Sequence, residues 1–385
     1  MERKKTILYS FLLALLAMAV SYFCTNRDVT LSGERDVLKY WSFVSFLFSS
    51  DSRNSVPEEV LFINTSSDLQ LVDRTDENGF PVGNAAITDR RKLDDLLNMI
   101  KSSGNYKYVL LDVFFEEGYE SEYDSSLFST IASMDRVVIP RHTNGTLADS
   151  SLEQKAAYAD YKTTLKEDNI TKYPLLDNNG NYSIPLKMYS DLTGRTVRRM
   201  GPIYMDRAAL SRRVVFPKMF VQIDSSRNTD RKKTYLNLGS DIMDHREVID
   251  LNDYFKDKII VIGSLAGDDD VHLTYAGDNP GCVINYNVFT SLMRGQHKIP
   301  VGLILVYFLI FFAMSYLLLS GDSDNSQSWG WIWAKLFVIY SIVLTIVCIF
   351  VFMIWGQAHD IFITSTLFSI IDACHKKIAK KESHA

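Results

Sequence analysis

The feature that most constrains this chain is that its hydrophobic stretches lie near its two ends. An apolar run from Ile7 to Phe23 follows the basic residues Arg3-Lys4-Lys5, and a second apolar region begins at Val301. A helix needs about 20 apolar residues to cross the hydrocarbon core of a bilayer. The pattern therefore predicts a membrane protein in which residues 25–298 fold in water between membrane helices.

The C-terminal region contains three hydrophobic stretches. Val301–Ser320 and Trp331–Trp355 are each long enough to span a membrane, whereas Ile361–Cys374 is shorter and includes Asp372. For this shorter stretch, a span, an interfacial helix and the start of a coiled linker all fit the composition.

Basic residues at both ends of the chain predict its topology. Arg3-Lys4-Lys5 and the tail from Lys376 should lie on the cytoplasmic side, which requires an even number of spans. We therefore predict one N-terminal transmembrane helix and three C-terminal ones within residues 299–375, followed by a short cytoplasmic tail at 376–385. Residues 1–24 are expected either to stay as an anchor or to be removed as a signal segment.

Charge and cysteine content exclude some classes of protein. The formal net charge of -5 at pH 7 is small for 385 residues, so no polycationic surface indicates nucleic-acid binding. Of the four cysteines, only Cys282 lies clearly within the water-facing region, and a lone thiol cannot form a disulfide inside that domain. We expect Cys282 to be a small buried thiol rather than a reactive one.

Apolar runs and helical spacing alternate along the first part of the water-facing region. Val60–Ile63 is typical of a buried strand, and Tyr108–Phe115 is apolar on both faces except at one aspartate. Asp89–Lys101 carries a single apolar stripe at helical spacing, and a helix over 125–134 with a strand over 136–140 repeats the unit. Two successive strand, helix, strand units predict an α/β fold with a parallel sheet.

The region from Leu147 to Met200 is polar and lacks strong periodicity, so we expect it to be an excursion from the core. Its interspersed tyrosines should tie the excursion to the domain surface, and lining a ligand groove is the alternative. A cluster of arginines follows, which we expect to be exposed to solvent or to form internal ion pairs, and an anion-binding patch is the alternative. Its members are Arg195, Arg198, Arg199, Arg207, Arg212 and Arg213.

The last water-facing unit has the clearest pattern. Ile259–Gly263 is a β-branched strand that ends at a glycine, where the backbone can turn sharply. A loop with several aspartates and His272 follows, and a helix over 283–294 then leads directly into the Val301 span.

The order of these pieces resembles the CHASE2 family, a group of extracytoplasmic sensory domains in bacterial membrane receptors. The resemblance rests on the strand Lys258–Gly263, the aspartate loop closing at Asp270, the segment from Tyr275 to Gly281, and the helix that ends in Leu292-Met293-Arg294-Gly295. One departure is Thr274-Tyr275-Ala276, where the family usually has Thr-Pro.

The resemblance implies a function and a location. Residues 25–298 would form a periplasmic sensory domain of a multi-pass protein in a bacterial inner membrane.

The resemblance also extends to earlier parts of the sequence: the strand from Val60, the helix Leu93–Ile100, the strand Leu111–Phe115, and Asp124 ahead of the next helix. Family members typically have one span before the domain and three after it, in agreement with the predicted topology.

A ligand site is predicted at one edge of the sheet. In an open parallel sheet the ligand crevice lies at the carboxyl ends of the strands. We expect a small ligand or a cation to bind there, bordered by Asn64, Asp112, Asp268, Asp269, Asp270 and His272. The alternative is that Asp112 accepts hydrogen bonds from backbone amides and that the other aspartates form a solvated loop.

A sensory role is favoured over catalysis. The chain has no Gly-x-Ser-x-Gly elbow, His-Glu-x-x-His pair, phosphate loop or Cys-x-x-Cys pair, so no catalytic residue, metal or cofactor is predicted. We expect a sensor of an unidentified small ligand that lacks its own output domain and signals through a separate membrane protein. A scaffold of the cell envelope that binds no ligand is the alternative, and a homodimer is compatible with the spans.

Overall fold

The computed structural model describes residues 3–30, 33–40, 56–75, 80–160, 169–223, 234–247, 251–267, 270–320, 345–357, 366–368 and 370–371. They divide into two compact units. The first, here called the sheet unit, comprises Ser49–Val197 and Pro217–Arg294, and the second, the helical unit, comprises Met1–Phe48, Arg198–Phe216 and Gly295–Ala385.

Both helices and strands occur among the described residues. The helices are α1 Arg3–Thr25, α2 Arg90–Ser103, α3 Asp124–Ser133, α4 Ile184–Thr193, α5 Leu251–Phe255, α6 Gly281–Met293, α7 Val301–Ser320 and α8 Thr345–Trp355. The strands are β1 Val60–Asn64, β2 Leu69–Thr75, β3 Pro81–Thr88, β4 Tyr108–Leu111, β5 Val137–Arg141, β6 Ala156–Tyr158, β7 Asn169–Ile170, β8 Tyr173–Pro174, β9 Val197–Met200, β10 Ile203–Asp206, β11 Ala209–Ser211, β12 Val214–Val215, β13 Leu236–Asn237, β14 Ile259–Gly263, β15 Val271–Thr274 and β16 Gly277–Pro280.

A six-stranded parallel sheet organises the sheet unit. Its strand order is β13-β1-β14-β4-β5-β6, and each neighbouring pair is parallel. β1, β14 and β4 are buried along their whole length, as expected for central strands that helices cover on both faces. The predicted α/β fold with a parallel sheet is therefore confirmed.

Helix α2 covers one face of the sheet with the apolar stripe that its sequence predicts. Leu93, Leu96, Leu97 and Ile100 are each 0% exposed in the main core. Asp89 caps the helix by accepting a hydrogen bond from the backbone N–H of Lys92 at 3.0 Å. The stripe and the cap together fix which face of the helix meets the strands.

A buried arginine ties α2 to the elements that follow β4. Arg90 is 2% exposed, its Nη2 donates to the carbonyl of Phe114 at 3.0 Å, and its Nε lies 3.5 Å from Asp124 Oδ1 at the start of α3. Burial lowers the pKa of Arg90 to about 10, and Asp124 opposes that shift. Asp124, which the family resemblance includes as the aspartate ahead of the next helix, therefore pairs with the buried Arg90.

Strand β4 is shorter than the sequence predicts. It ends at Leu111 rather than at Phe115, and Asp112 closes it by donating its backbone N–H to the carbonyl of Ile262 at 2.8 Å. An ionisable carboxyl group is unfavourable between two covered faces of a sheet, so the strand stops where the apolar run is interrupted. Val113 and Phe115 remain in the core from the loop that follows.

The prediction that 147–200 is an excursion from the core is wrong in two places. β6 pairs with β5 as an edge strand of the main sheet, and α4 buries Ile184, Leu186 and Met188. Both elements are short and lie among polar residues, so their apolar residues are too few to form a recognisable periodic pattern in the sequence. The stretch after β1 likewise forms an antiparallel hairpin of β2 and β3, which the sequence did not predict.

In the helical unit, α1 packs against α7. Ala14 and Ala17 of α1 share an apolar cluster with Leu303 and Phe311 of α7, and the rings of Phe11 and Phe308 lie 5.5 Å apart. Among the described residues, α1 and α7 are the two helices long and apolar enough to cross a membrane. These findings confirm the first and second predicted spans as helices.

The other two predicted spans are described only in part. α8 covers the second half of Trp331–Trp355, whereas residues 331–344 lie outside the described residues. Most of Ile361–Cys374 also lies outside them, as do 376–385. Three C-terminal transmembrane helices therefore stay a prediction, as do the proposed domain boundaries.

We expect Leu96→Ala to destabilise the protein strongly, because it removes a 0% exposed side chain from the contact between α2 and the sheet. The expected loss is about 2–5 kcal/mol of unfolding free energy, measured by urea denaturation of the full chain in detergent micelles. Leu71→Ala is the matched control, because Leu71 is 73% exposed on the β2–β3 hairpin. Equal losses for both variants would contradict the assignment of this core.

Candidate functional site

The carboxyl ends of the parallel strands lie along one edge of the sheet. β1 pairs with β14 from Val60 and Ile259 onward, and β14 pairs in the same register with β4. Asn64, Gly263 and Asp112 therefore stand at the ends of adjacent strands. This carboxyl edge is where open parallel sheets bind ligands.

Asp112 is the central acidic residue of this edge. Its Oδ2 accepts a hydrogen bond from Asn285 Nδ2 of α6 at 3.2 Å. Burial raises the pKa of Asp112 to about 7, and the nearby Asp270 carboxylate raises it further, while Asn285 and His272 oppose the shift. Asp112 can therefore exchange a proton near neutral pH, unlike an aspartate in water.

Asp270 and His272 form a pair beside Asp112. His272 Nε2 lies 3.0 Å from Asp270 Oδ1, and both side chains are about one-third exposed. Asp270 also holds the start of α6, because its carbonyl accepts the backbone N–H of Gly281 at 3.0 Å. The structure thus brings three of the predicted site residues together, and we name Asp112, Asp270, His272 and Asn285 the acidic cluster.

Two glycines allow the acidic cluster to be this compact. A Cβ atom on Gly281 would lie 2.5 Å from Asp270 Oδ2, and one on Gly263 would lie 3.2 Å from both Asp112 Cβ and Cys282 Sγ. Any side chain at Gly281 would displace the Asp270 carboxylate. The glycines therefore keep the end of β14 and the start of α6 close to the acidic side chains.

Asn64 has a different environment from the other predicted site residues. It is 1% exposed, and its Oδ1 accepts the backbone N–H groups of Leu265 and Ser66 at 2.9 and 3.2 Å. Its Nδ2 donates to Asn237 Oδ1 at 2.9 Å. Asn64 thus holds the loop that follows β14. Asp268 and Asp269 lie outside the described residues.

Asn285 is a site residue that sequence reasoning missed. Besides its bond to Asp112, it accepts a hydrogen bond from the buried Tyr173 hydroxyl at 2.6 Å through its Oδ1. A signal was present in the sequence, because Asn285 and Asn287 interrupt an otherwise apolar helix. Both are 0% exposed, and a buried amide inside a helix needs specific partners.

Cys282 fulfils the prediction of a buried thiol. It is 0% exposed at the start of α6, and burial raises its pKa well above the usual value for cysteine. A thiol in this state has little thiolate and is a poor nucleophile. Among the described residues, no three His, Cys, Asp or Glu side chains are grouped as ligands of a metal ion.

A polar pocket of about 620 Å³ lies further along the same edge, at the ends of β5 and β6. Basic and acidic side chains line it together with two of the interspersed tyrosines: Arg141, His142, Glu153, Tyr158, Tyr182 and Lys187. We name it the edge pocket. Its residues come from short elements in a polar region. A ligand groove lined by the tyrosines of this region was only the alternative prediction from the sequence, and Tyr158 and Tyr182 fit that alternative.

The edge pocket and the acidic cluster are connected by the loop after β4. Phe114 follows Asp112 by two residues, and its ring contacts that of His142 edge to face, with centroids 4.2 Å apart. His142 in turn lines the edge pocket. His142 therefore contacts both the edge pocket and the loop that carries Asp112.

A comparison with models of protein families matches residues 41–320 to the CHASE2 domain. The match begins ahead of β1 and ends with α7, so it includes the sheet, the edge pocket and the acidic cluster. It confirms the resemblance found in the sequence. No curated protein and no solved structure matches the chain.

We expect Asp112→Asn to stabilise the protein at high pH only. The pKa of Asp112 lies above the unfolded value of about 3.9, so its carboxylate destabilises the fold progressively as pH rises from about 4 to about 7. The variant should gain roughly 1–2 kcal/mol at pH 8 and little at pH 4, since partial exposure reduces the full effect. Urea denaturation of the full chain in micelles at both pH values measures this.

The control for this prediction is Asp278→Asn, which makes the same chemical change at an exposed position of β16. It should change stability by less than about 0.5 kcal/mol at either pH. A gain for Asp112→Asn that is the same at pH 4 and pH 8 would show that Asp112 is not the titrating group.

Proposed function

The chain belongs to the CHASE2 domain family, whose members are extracytoplasmic sensory domains, and we propose that it senses a small polar ligand at the carboxyl edge of its sheet. The observation that carries this proposal is the edge pocket, which lies where parallel sheets bind ligands and contacts the loop of Asp112. Its volume of about 620 Å³ fits a small molecule.

The lining of the edge pocket favours a ligand with an anionic group and hydrogen-bond donors. Arg141, His142 and Lys187 provide positive charge or donors, whereas Glu153 and Asp177 provide acceptors. Arg141 Nη1 is paired with Glu153 Oε2, and Lys187 Nζ lies 3.6 Å from Asp191 Oδ2. A zwitterionic or polyhydroxylated molecule could form hydrogen bonds with both kinds of group.

Helix α6 is the element that would carry the signal. Its Asn285 holds Asp112, and its first residue, Gly281, is held by Asp270. Residues 294–300 then join α6 to α7, the helix of membrane-spanning length. In this proposal, ligand binding moves the loop after β4, changes the contact between Asp112 and Asn285, and so biases α6.

The acidic cluster is a second candidate for direct ligand contact, as the sequence predicted for Asp112, Asp270 and His272. Burial is the main cause of the raised pKa of Asp112, and repulsion from the Asp270 carboxylate adds to it. A bound cation would relieve that repulsion. The ligand would then be a small cation or amine. Asn64, Asp268 and Asp269 would take part through the loop after β14.

The proposal includes a membrane arrangement. Four spans would anchor the protein in a bacterial inner membrane with 25–298 in the periplasm, and the signal would pass to a separate membrane protein. The sensory family, the two spanning-length helices and the basic residues at both ends support this arrangement. Catalysis has no part in the proposal.

We expect a ligand library to contain compounds that raise the thermal unfolding temperature of the full chain in micelles, because binding to the folded state stabilises it. Lys187→Met should weaken the response to such a compound at least tenfold in half-saturating concentration, whereas Lys107→Met, at an exposed position outside the pocket, should not. Differential scanning fluorimetry at several ligand concentrations measures both.

The same titration distinguishes the candidates. A response lost in Asp112→Asn but kept in Lys187→Met would transfer the ligand site to the acidic cluster. No response to any compound, together with capture of the same membrane proteins under all conditions, would favour the scaffold of the cell envelope over a sensor.

We expect three glycines inserted after Lys298 to uncouple the sheet unit from α7, because a flexible segment would replace the short connection at 294–300. Ligand-dependent protection from hydrogen exchange should persist in peptides from 270–290 and disappear from peptides covering 301–310. An insertion of three alanines at the same place is the control for length. Unchanged protection in 301–310 would contradict the proposed route.

A further inference from the structure

The helical unit contains an apolar pocket of about 330 Å³ that the sensory function does not use. Its wall comes from the end of α1, the β10–β11 hairpin and the start of α7, and it includes Met18, Phe23, Ile203, Leu210, Leu303 and Phe311. Arg212 is the one charged residue among the lining residues that the structure describes. A pocket of this composition offers water few hydrogen-bond partners.

Hydrogen bonds fix the hairpin to the end of α1. The Tyr22 hydroxyl donates to the carbonyl of Ser211 at 3.0 Å and accepts the backbone N–H of Tyr204 at 2.8 Å. Asn26 Oδ1 accepts the backbone N–H of Arg213 at 2.6 Å. The hairpin therefore cannot shift along α1 without breaking these bonds.

The hairpin is also fixed to the segment that enters α7. The backbone N–H of Ile299 donates to the carbonyl of Leu210 at 2.8 Å. Asp206 Oδ2 lies 2.9 Å from both His297 Nε2 and Lys298 Nζ, and the side chains of Asp206 and His297 are 0% exposed. The pocket thus has a rigid frame at one end, so it is a built cavity and not a gap between loosely packed helices.

Part of the pocket wall belongs to the two helices of membrane-spanning length. On α7 they run from Leu303 to Phe311, about 12 Å along a helix that rises about 1.5 Å per residue. Both α1 and α7 are long and apolar enough to cross a membrane, and these residues belong to the turns next to the hairpin. One end of the pocket is therefore polar and the other continues along the membrane helices.

We propose that this pocket binds one acyl chain of a bilayer phospholipid, with the headgroup at the hairpin end. The apolar wall along α1 and α7 fits a hydrocarbon chain, and the polar end with Ser21, Tyr22 and Arg212 fits the glycerol region. Glu34 acts electrostatically on Arg212, so the charge at this end is already partly balanced within the protein. In this proposal the acyl chain of the lipid, and not the charge of its headgroup, determines binding.

The test uses the full chain reconstituted in vesicles of phosphatidylethanolamine and phosphatidylglycerol, with a trace of phospholipid that carries a diazirine in one acyl chain. Ultraviolet irradiation followed by peptide mass spectrometry locates the labelled residues. We expect labelling of 203–212 and 299–304 to saturate as the probe is increased, and both unlabelled lipids to compete within about threefold of each other. Labelling of Leu309, which is 63% exposed on α7, should rise without saturation.

Two variants fill the pocket and one serves as a control. Leu210→Trp, and Ile203→Trp at the more exposed rim, should each abolish the saturable labelling, whereas Leu309→Trp should leave it unchanged. Ile203→Trp keeps the test valid if Leu210→Trp fails to fold. Absence of saturable labelling in the unmodified chain would overturn the proposal. Saturable labelling that survives both pocket variants, or that appears only with a free fatty acid probe, would also overturn it.

Discussion

A parallel sheet that is covered on both faces leaves only its two ends for polar chemistry, and this constraint organises the sheet unit. β1, β14 and β4 are buried along their whole length, so no polar group can be accommodated between them without a partner. Because the strands are parallel, every carboxyl end falls on the same edge. Asp112, Asn64 and the edge pocket are therefore neighbours through the topology of the sheet, although they are far apart in sequence.

The same constraint explains why α6 belongs both to the core and to the site. The helix is buried on nearly all sides, so its two asparagines must satisfy their amides with protein groups. Asn287 bonds the backbone of Phe220 and Val221, and Asn285 bonds Asp112 and Tyr173. Helix α6 is therefore tied by hydrogen bonds both to Asp112 at the carboxyl edge and to the backbone at 220–221. This property suits a helix that connects a sensory domain to a helix of membrane-spanning length.

Sequence patterns predicted the elements whose stability comes from long apolar runs. The strands at Val60, Tyr108 and Ile259 and the stripe of α2 were recognisable because burial on both faces, or on one helical face, demands many apolar residues in sequence. The end of β4 at Leu111 was not recognisable from the sequence, because a single aspartate within an apolar run is also compatible with a continuous strand. In the structure β4 ends at Leu111, directly before Asp112.

The candidate site could be predicted only in part, for a related reason. Asp112 directly follows β4, and Asp270 and His272 lie in the segment after β14, so topology could place them at the same edge. The edge pocket depends on β6 and α4, whose few apolar residues gave no periodic signal, and its wall is made by tertiary contacts between segments that are each ordinary polar sequence. The arginines after 195 also have separate environments: Arg213 pairs with Asp28, in agreement with an internal ion pair, whereas Arg212 is 5% exposed.

The helical unit is built from segments that are far apart in sequence, and this has a consequence for biosynthesis. Its three segments, Met1–Phe48, Arg198–Phe216 and Gly295–Ala385, are separated by the two segments that build the sheet unit. During translation α1 is made long before α7, so its face around Ala14 and Ala17 gains the partner it packs against only some 300 residues later. The sheet unit is itself complete only at Arg294, shortly before α7 begins at Val301, so the two units receive their last segments at almost the same point of synthesis.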